Sequence, residues 1–413
     1  MKLKQIHYSW VMVILAILAM TANAIALYSF GIFLIPITTA FGWERGTLSA
    51  ANSMTMLVSG VLAILAGRLC DKYGPRLLIT ASGILATIGY LLMSQISSLW
   101  HVYLVWGLII GVSFACCVIP ITSTIPRWFT KRRGLALGLT MVGFGLGAMI
   151  WPPLSQLLIS SYGWQRAFVI LGVIAFIIFI PVAQFMKHSP QRMGLRPYGE
   201  NANTDIQSPS VTMGGLSLKQ SINTGRFWIF GLTQFCFLFI VQIIIVHLAP
   251  YAIDTGISAV IAASIVSIMG TVTIIGRLGI GIVADRVGAR TALTISFAML
   301  TLAMVWLLFT RELWTFYVFA ALAGIAYGGE SAVLSLVPAD LFGLKYLGAI
   351  SAVTMLCGTI GASIGMPLAG TIFDVTGSYH IAFIICVAVG ILAVASSLIL
   401  LRSKGYEDIK SAY

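Results

Sequence analysis

The residue with the most evident chemistry is Arg277, in the stretch TVTIIGRLGIGIVADRVGAR that runs from Thr271 to Arg290. Its neighbours are apolar, and the next acidic residue along the chain is Asp285. An arginine at the centre of a membrane helix costs about 2.5 to 3.5 kcal/mol, so its presence there indicates a function. The planar guanidinium binds a carboxylate through two parallel hydrogen bonds. Arg277 therefore predicts a site for a small organic anion.

The face of the helix that carries Arg277 favours this interpretation. Small and polar residues recur at spacings of three and four and form one stripe: Ser267, Gly270, Thr273, Arg277 and Gly281. Such a stripe faces protein or a cavity. Two alternatives stay open, a structural ion pair and snorkelling to a membrane surface about 9 Å away along the helix.

Two titratable residues are candidates for carrying a proton with the anion. Glu330, in AGIAYGGESAVLS, lies three residues after Tyr327, so both side chains can line one cavity. Burial favours the neutral acid and an unoccupied Arg277 favours the carboxylate, so anion binding would promote protonation of Glu330. A helix–helix ion pair or a permanently protonated carboxyl is the alternative. His247, four residues before Tyr251, is either an interfacial residue or an external proton relay.

The elements that must position these residues are membrane helices. Of the 413 residues 59% are hydrophobic and 9% charged, and the mean hydropathy is +1.00. Apolar runs of about 20 residues can each cross a bilayer as a helix. We predict twelve, the first of them an uncleaved helix and not a secretory signal. They begin near Trp10, Leu48, Leu77, His101, Leu135, Ala167, Phe227, Ala259, Thr291, Trp314, Ala349 and Ile381.

The positive charges indicate the orientation in the membrane. Most basic residues fall in loops on the side of the N-terminus, and only Arg45, Arg166 and Arg311 fall in the opposite loops. By the positive-inside rule both termini are cytoplasmic. The short external loops suit a cell inner (plasma) membrane. This distribution explains the net charge of +12 without a nucleic-acid partner. The lipid bilayer is the expected partner.

Several functional classes are not expected from the sequence. The six cysteines fall within predicted spans or at a helix end, so we predict no disulfide. No metal-ligand cluster, nucleotide loop or nucleophile with a base is evident. We therefore expect no cofactor, no metal and no enzymatic activity. A non-transporting membrane sensor stays a remote alternative.

The chain is an internal duplication. Gly67, Asp71, Lys72, Gly74 and Arg76 recur 214 residues later as Gly281, Asp285, Arg286, Gly288 and Arg290. The same offset relates Arg277 to Ala63 and Glu330 to Cys116, so both charges are additions to the common scaffold. We predict an N-terminal half over 1–186, a polar cytoplasmic linker over 187–226, a C-terminal half over 227–401 and a cytoplasmic tail over 402–413. Duplicated halves with a central site are a plan of secondary transporters.

The segment GRLCDKYGPR resembles the loop motif between helices 2 and 3 of the major facilitator superfamily. The resemblance implies an all-α membrane protein with twelve transmembrane helices in two pseudo-symmetric halves. Its glycines permit close approach of helix ends, and its charges can form ion pairs and helix-end contacts on the cytoplasmic side. We assign a conformational latch to Asp71, Arg76, Asp285 and Arg290, and add the basic cluster Lys131, Arg132 and Arg133.

A narrower resemblance concerns RWFTKRRGLALGLTMVG and GMPLAGTIFDVTGSY. They are similar to motifs of helices 5 and 11 in the monocarboxylate transporter family, which bacterial relatives such as the oxalate/formate exchangers share. The resemblance implies alternating-access transport, with Arg277 matching the helix 8 arginine that binds the substrate. The chain departs from the animal carriers at two positions linked to proton coupling, where it has Thr273 and, near the helix 1 lysine, Tyr28.

These observations combine into one predicted function. We expect proton-coupled symport of a small monocarboxylate such as lactate, pyruvate or acetate, by a protein that acts as a monomer. One cation suits a monoanion better than a dianion, which disfavours the alternative, an organic-anion exchanger of the oxalate/formate type. The predicted substrate-binding residues are Arg277, Tyr327, Tyr28, Thr273 and Cys357, and the proton-coupling candidates are Glu330 and His247.

Overall fold

The structure, a computed structural model, describes residues 7–199, 215–334, 336–343 and 345–403. Nearly all of these residues are helical, and the extended pairings within them are two isolated bridges, Phe129 with Tyr198 and Gly215 with Gly343. The predicted all-α fold is confirmed. Lys2, Lys4, part of the predicted linker and most of the predicted tail lie outside the described residues.

The chain divides into two compact units. The first comprises Met1–Trp43 and Ala50–Gln207. A π-helix, Tyr103–Ile110, connects its fifth and sixth α-helices, and 3-10 turns occupy Ile125–Trp128 and Pro190–Met193. The α-helices of this part of the chain are α1 Tyr8–Tyr28, α2 Phe30–Phe41, α3 Arg45–Tyr73, α4 Pro75–Met93, α5 Leu99–Val102, α6 Gly111–Thr124 and α7 Arg133–Phe185.

The second unit comprises Ser208–Tyr413 together with Glu44–Ser49, the segment that contains the first turn of α3. Within it α10 packs along α12, α9 along α14, and α11 against α12 and α15. Its helices are α8 Leu218–Ile222, α9 Gly225–Asp254, α10 Ala259–Val287, α11 Ala289–Leu307, α12 Leu313–Val333, α13 Leu336–Phe342, α14 Leu347–Thr376 and α15 His380–Arg402.

The number of membrane-spanning segments agrees with the prediction. Eleven helical segments of the described chain are long and apolar enough to cross a bilayer. The longest, α7, has 53 residues and contains Gly163 in a non-helical conformation. This break separates the two spans predicted to begin near Leu135 and Ala167, so the eleven segments account for twelve crossings.

The internal duplication is visible in the backbone. Three pairs of glycines with positive φ stand 214 residues apart, and each glycine lies at a helix end or break: Gly42 and Gly256, Gly74 and Gly288, Gly163 and Gly377. Positive φ is readily available only to glycine, so the repeated glycines fix the same chain reversals in both halves. Gly74 and Gly288, with φ of 86° and 90°, begin α4 and α11.

The outer surface suits lipid. Large apolar side chains such as Val61 and Ile64 on α3 and Ile275 and Leu278 on α10 are each more than 60% exposed. A water-soluble protein rarely leaves so much contiguous apolar surface uncovered. The chain is therefore a multi-pass membrane protein.

Candidate functional site

Arg277 lies half-buried on α10 and its guanidinium is oriented by α12. The Arg277 Nε donates to Ser331 Oγ at 3.0 Å, and the Ser331 hydroxyl donates to the Gly328 carbonyl at 2.7 Å. The serine therefore accepts from the arginine through a fixed lone pair. Among the described residues no carboxylate forms an ion pair with Arg277. The terminal nitrogens of the guanidinium are thus not neutralised by a fixed anion.

Glycines bring α10 and α12 into backbone contact at this point. A Cβ on Gly276 would lie 2.5 Å from the Ile325 carbonyl oxygen, and one on Gly324 would lie 2.6 Å from the Met269 carbonyl oxygen. A Cβ on Gly328 would lie 2.6 Å from the Arg277 backbone nitrogen. Only glycine leaves room for this crossing, which is the close approach that small residues permit between membrane helices.

Replacing Gly328 by alanine should destabilise the protein and displace Arg277. The new methyl would overlap the Thr273 carbonyl oxygen as well as the Arg277 nitrogen, and both are backbone atoms that cannot rotate away. Overpacking of this kind costs about 1 to 3 kcal/mol or more. Thermal unfolding of the purified protein measures the loss.

Gly279→Ala, on the same helix, is the matched control, because a Cβ there would meet no heavy atom within 4 Å. The control should unfold at the wild-type temperature or slightly above it. Equal unfolding temperatures for the two variants would contradict the crossing described here.

Glu330 is buried beside the arginine, on the same helix as Ser331. It is 1% exposed, and its Oε1 accepts a hydrogen bond from the Gln234 side-chain amide of α9 at 3.0 Å. Gln234 is also 1% exposed. The positive charge of Arg277 acts on this carboxyl without an ion pair between the two. The site therefore holds one oriented cation and one buried acid whose hydrogen-bond partner is a neutral amide.

Two further predicted contacts lie on the same two helices. Tyr327 of α12 is half-buried, with its ring centroid 5.9 Å from that of Phe237. Thr273 of α10 is 4% exposed, and its hydroxyl donates to the Met269 carbonyl at 2.9 Å. The threonine hydroxyl can still accept a hydrogen bond, but it must rotate before it can donate to an anion.

Cys357 and Tyr28 have other surroundings. The Cys357 thiol of α14 donates to the Val353 carbonyl at 3.7 Å and faces Gly231 of α9. It lines an apolar groove of about 250 Å³ that also includes the exposed Trp228. Tyr28, in the first unit, is the last residue of α1 and is 2% exposed. Their assignment to the substrate site stays a prediction.

His247 is fully buried inside α9, which disfavours the interfacial alternative. Its Nδ1 lies 3.1 Å from the Tyr379 hydroxyl, and its Nε2 lies 2.9 Å from the Met366 carbonyl oxygen. Thirteen residues separate it from Gln234, the partner of Glu330, which is roughly 20 Å along an α-helix. His247 and Glu330 therefore belong to different sites.

The predicted latch residues form different ion pairs in the two halves. In the first unit Asp71 pairs with Arg127, which also lies 2.9 Å from His188 Nε2. In the second unit Arg290 pairs with Asp340 at 2.7 Å and also donates to the Ser403 carbonyl. Asp285 is exposed and makes no ion pair among the described residues.

The motif of the first half therefore forms its ion pair through its acid, Asp71, and the motif of the second half through its base, Arg290. Two further details concern the same motif. Arg76 bonds the Gln184 side-chain oxygen and forms no ion pair among the described residues. A Cβ on Gly281 would meet nothing within 4 Å, so the close helix approach occurs instead at Gly276, Gly324 and Gly328.

The basic cluster before α7 is exposed and is arranged around the start of that helix. The Lys131 backbone nitrogen donates to the Tyr198 carbonyl at 3.3 Å, and the Arg133 side chain donates to the Phe129 carbonyl. Arg132 caps the helix with a φ of 62°, which costs a non-glycine residue about 1 to 3 kcal/mol. This local strain marks a fixed turn, and its role in a latch stays a prediction.

Gln234 and Ser331 are the two site residues that sequence reasoning missed. Gln234 could have been found by the criterion applied to Arg277, because it is a polar residue inside an apolar span. Ser331 directly follows Glu330, and nothing in its spacing separates it from other helical serines. Only the crossing of α10 and α12 makes it the partner of Arg277.

Comparisons with known proteins agree with the motifs. The sequence profile of the Major Facilitator Superfamily matches residues 12–310 and 230–412. Monocarboxylate transporter 13 of Rattus norvegicus is 28% identical over 399 residues, which cover 92% of this chain and 85% of that protein. Monocarboxylate transporter 2 of Homo sapiens is 29% identical over 349 residues, which cover 81% and 72%. These relatives confirm the resemblance to monocarboxylate transporters.

Solved structures agree on the fold. A bacterial homologue of the human lysosomal transporter Spinster, in an inward-facing and occupied conformation, superposes with a TM-score of 0.77 at 15% identity. The match covers 97% of this chain and 98% of that one. The profile match spans almost the whole sequence and the fold match covers nearly all of both chains. The chain belongs to the Major Facilitator Superfamily of membrane transporters.

Proposed function

We propose that the protein transports a small monocarboxylate such as lactate, pyruvate or acetate across the cell inner (plasma) membrane, coupled to a proton. The observation that carries the proposal is the state of Arg277. Its side chain is oriented by a neutral serine, and no carboxylate neutralises it among the described residues. A half-buried cation without a fixed anionic partner is an available site for an anion.

The orientation of the guanidinium defines how the anion binds. Because Nε is engaged with Ser331, the two terminal nitrogens remain for the two oxygens of a carboxylate. Tyr327, on the neighbouring helix, can add a phenolic hydrogen bond, and the Phe237 ring beside it provides an apolar wall for a short carbon chain. A single cation favours a monoanion, because a dianion would leave one buried charge unpaired.

Glu330, the buried acid, couples the binding of the substrate to the binding of a proton. When the carboxylate of the substrate occupies Arg277, the attraction of that arginine for Glu330 is cancelled, and the neutral acid becomes the favoured form. Substrate and proton therefore bind together. The names of the relatives, monocarboxylate transporters, support the same substrate class. An organic-anion exchanger is the second candidate, because Thr273 stands where the animal carriers have an acid.

The test is uptake of radiolabelled lactate by proteoliposomes, with protein-free liposomes as the control. One arm has an inward proton gradient, and the other has no gradient but is preloaded with unlabelled lactate or oxalate. We expect accumulation in the first arm, and competition by pyruvate and acetate but not by oxalate. Uptake only into oxalate-loaded vesicles would replace symport with exchange. No uptake in either arm would remove the monocarboxylate assignment.

Replacing Ser331 by alanine should weaken substrate binding without abolishing transport. The Arg277 guanidinium would keep its charge but lose the acceptor that fixes its orientation. One hydrogen bond to a charged group contributes about 1.5 kcal/mol, so the KM for lactate should rise by roughly tenfold.

Ser264→Ala is the control for this measurement, because Ser264 lies on α10 and bonds the carbonyl of Ile261 in its own helix. Its KM should equal that of the wild type. An unchanged KM in Ser331→Ala would show that the serine does not orient the arginine.

A further inference from the structure

The first turn of α3 is held in the second unit by three kinds of contact. The Arg45 guanidinium forms a two-pronged ion pair with Asp254 at the end of α9 and lies 3.8 Å above the Phe373 ring. The backbone nitrogens of Arg45 and Gly46 donate to the two carboxylate oxygens of Asp374 at 2.9 and 2.7 Å. Carboxylate caps and bidentate pairs are strong contacts, so this turn is docked specifically.

Arg45 is also the first residue of a hydrogen-bond chain that ends at His247. The Arg45 Nη1 donates to the Tyr379 oxygen at 3.0 Å, and this oxygen lies 3.1 Å from His247 Nδ1. Tyr379 is 1% exposed and lies between α14 and α15. Burial raises the pKa of the Tyr379 hydroxyl, so the tyrosine keeps its proton.

The direction of each hydrogen bond between Arg45 and His247 follows from the groups at the two ends of the series. The Met366 carbonyl can only accept, so His247 Nε2 must carry the hydrogen. The Nδ1 of the neutral ring then accepts from the Tyr379 hydroxyl, whose oxygen accepts from Arg45. All polar atoms of the neutral histidine are satisfied. A proton added at Nδ1 would place a donor against a donor.

While the first turn of α3 is docked, the charges around His247 also favour the neutral ring. Arg45 contributes positive charge towards the histidine, and its partner Asp254 is neutralised by the ion pair. Asp374 is engaged by the α3 backbone. If this turn leaves, the cation departs and two carboxylates lose their partners. The charged and titratable groups around the hydrogen bonds from Arg45 to His247 are Arg45 of α3, Tyr251 and Asp254 of α9, Asp374 of α14, Tyr379 and, beyond Tyr251, Arg311.

We propose that Arg45 is a positioning residue that gates the protonation of His247. While Arg45 is docked it fixes the Tyr379 hydroxyl and adds to the effect of burial, which favours the neutral histidine. Its release frees the tyrosine oxygen to accept from a protonated Nδ1 and exposes Asp254 and Asp374 to balance the charge. His247 then serves as the proton relay at one end of α9, remote from Glu330. This inference rests on the proposed function, because it supplies the entry step of proton coupling.

The test is ¹⁵N NMR of the purified full-length protein with labelled histidine rings. The His247 signals are assigned by their loss in His247→Gln. Near pH 6, below the ordinary histidine pKa of about 6.5, the wild-type ring should remain a neutral Nε2–H tautomer. In Arg45→Gln the second ring hydrogen should appear at a higher pH than in the wild type. Arg45→Lys, which keeps a cationic donor, should return this midpoint to the wild-type value.

A second variant separates docking from charge. Gly46→Ala retains Arg45, but its methyl would lie 2.6 Å from the Thr371 backbone nitrogen, so the turn cannot dock. It should behave like Arg45→Gln, and it carries the test if that variant does not fold. Arg286→Gln removes an exposed cation of α10 in the same unit and should leave the wild-type tautomer.

The outcomes distinguish this inference from the proposed function. If His247 has the same protonation in the wild type, Arg45→Gln and Gly46→Ala, the gate is refuted even where lactate uptake is intact. If the predicted protonation change is seen but lactate is not transported, the gate stands and the monocarboxylate assignment fails. The pH profile of uptake should also shift in Arg45→Gln and return in Arg45→Lys.

Discussion

Arg277→Ala should lower the kcat/KM of lactate uptake by about 30-fold or more. Removing a charged contact to a buried carboxylate costs about 2 to 5 kcal/mol, and each 1.4 kcal/mol is a factor of ten. The residue is half-buried and no other cation lies beside it on α10 until Arg286, nine residues further along the chain. The loss should therefore not be compensated locally. Initial rates of uptake into proteoliposomes over a range of lactate concentrations measure it.

Arg277→Lys separates charge from geometry. A lysine keeps the positive charge but replaces the planar fork with a single ammonium, which cannot bind both carboxylate oxygens in parallel. We expect an intermediate loss, with the KM raised more than kcat is lowered. Thermal unfolding of both variants identifies any general damage to the crossing of α10 and α12.

Arg311→Ala is the control for charge removal, because Arg311 lies in a loop outside the described site. It should transport lactate like the wild type. If Arg277→Ala did so too, the arginine would be a snorkelling or structural residue, and the anion site would have to be sought elsewhere. Loss of lactate binding in Arg277→Ala with unchanged unfolding temperature is the result that supports the proposal most directly.

The sequence was sufficient for the fold because its signals are local. Apolar runs of membrane length mark each helix, and the 214-residue offset relates the halves down to the paired glycines with positive φ. The polar face of Arg277 followed from the 3.6-residue period, which depends on α10 alone. Such features can be predicted without knowing how the helices cross.

The partners of the site residues were not predictable for the same reason. Ser331 meets Arg277 only because glycines bring two helix backbones together, and the Gln234 amide reaches Glu330 from a third helix. The Arg45 side chain bonds Asp254, 209 residues away, although charge counting placed it in a loop. Contacts between distant residues depend on helix rotation and crossing, which periodicity does not define.

The latch shows the limit of arguing from repeats. The same charged motif occurs in both halves at the 214-residue offset, but the halves pair different residues of it. Asp71 and Arg290, which occupy different positions of the repeated motif, are the residues that form pairs. The duplication preserves the backbone reversals more strictly than the side-chain partners, because positive φ is readily available only to glycine whereas an exposed ion pair contributes about 1 kcal/mol or less.

Glu330→Gln should abolish proton-driven accumulation and preserve exchange. One pH unit is worth about 1.4 kcal/mol, so symport of one proton per lactate can sustain about tenfold accumulation across such a gradient. The amide has the shape of the acid and keeps an oxygen that can accept from Gln234, but it cannot bind and release a proton. The packing around Arg277 should therefore survive. Accumulation in proteoliposomes with and without the gradient measures the change.

Counterflow is the decisive companion measurement. Uptake of labelled lactate into vesicles preloaded with unlabelled lactate requires binding and reorientation but no net proton movement, so it should remain within about twofold of the wild type in Glu330→Gln. Glu312→Gln, at an exposed acid just before α12, should retain both activities. Accumulation that persists in Glu330→Gln would assign the carried proton to another group. Loss of both activities would make Glu330 part of anion binding itself, because a carrier of the proton alone is not needed for exchange.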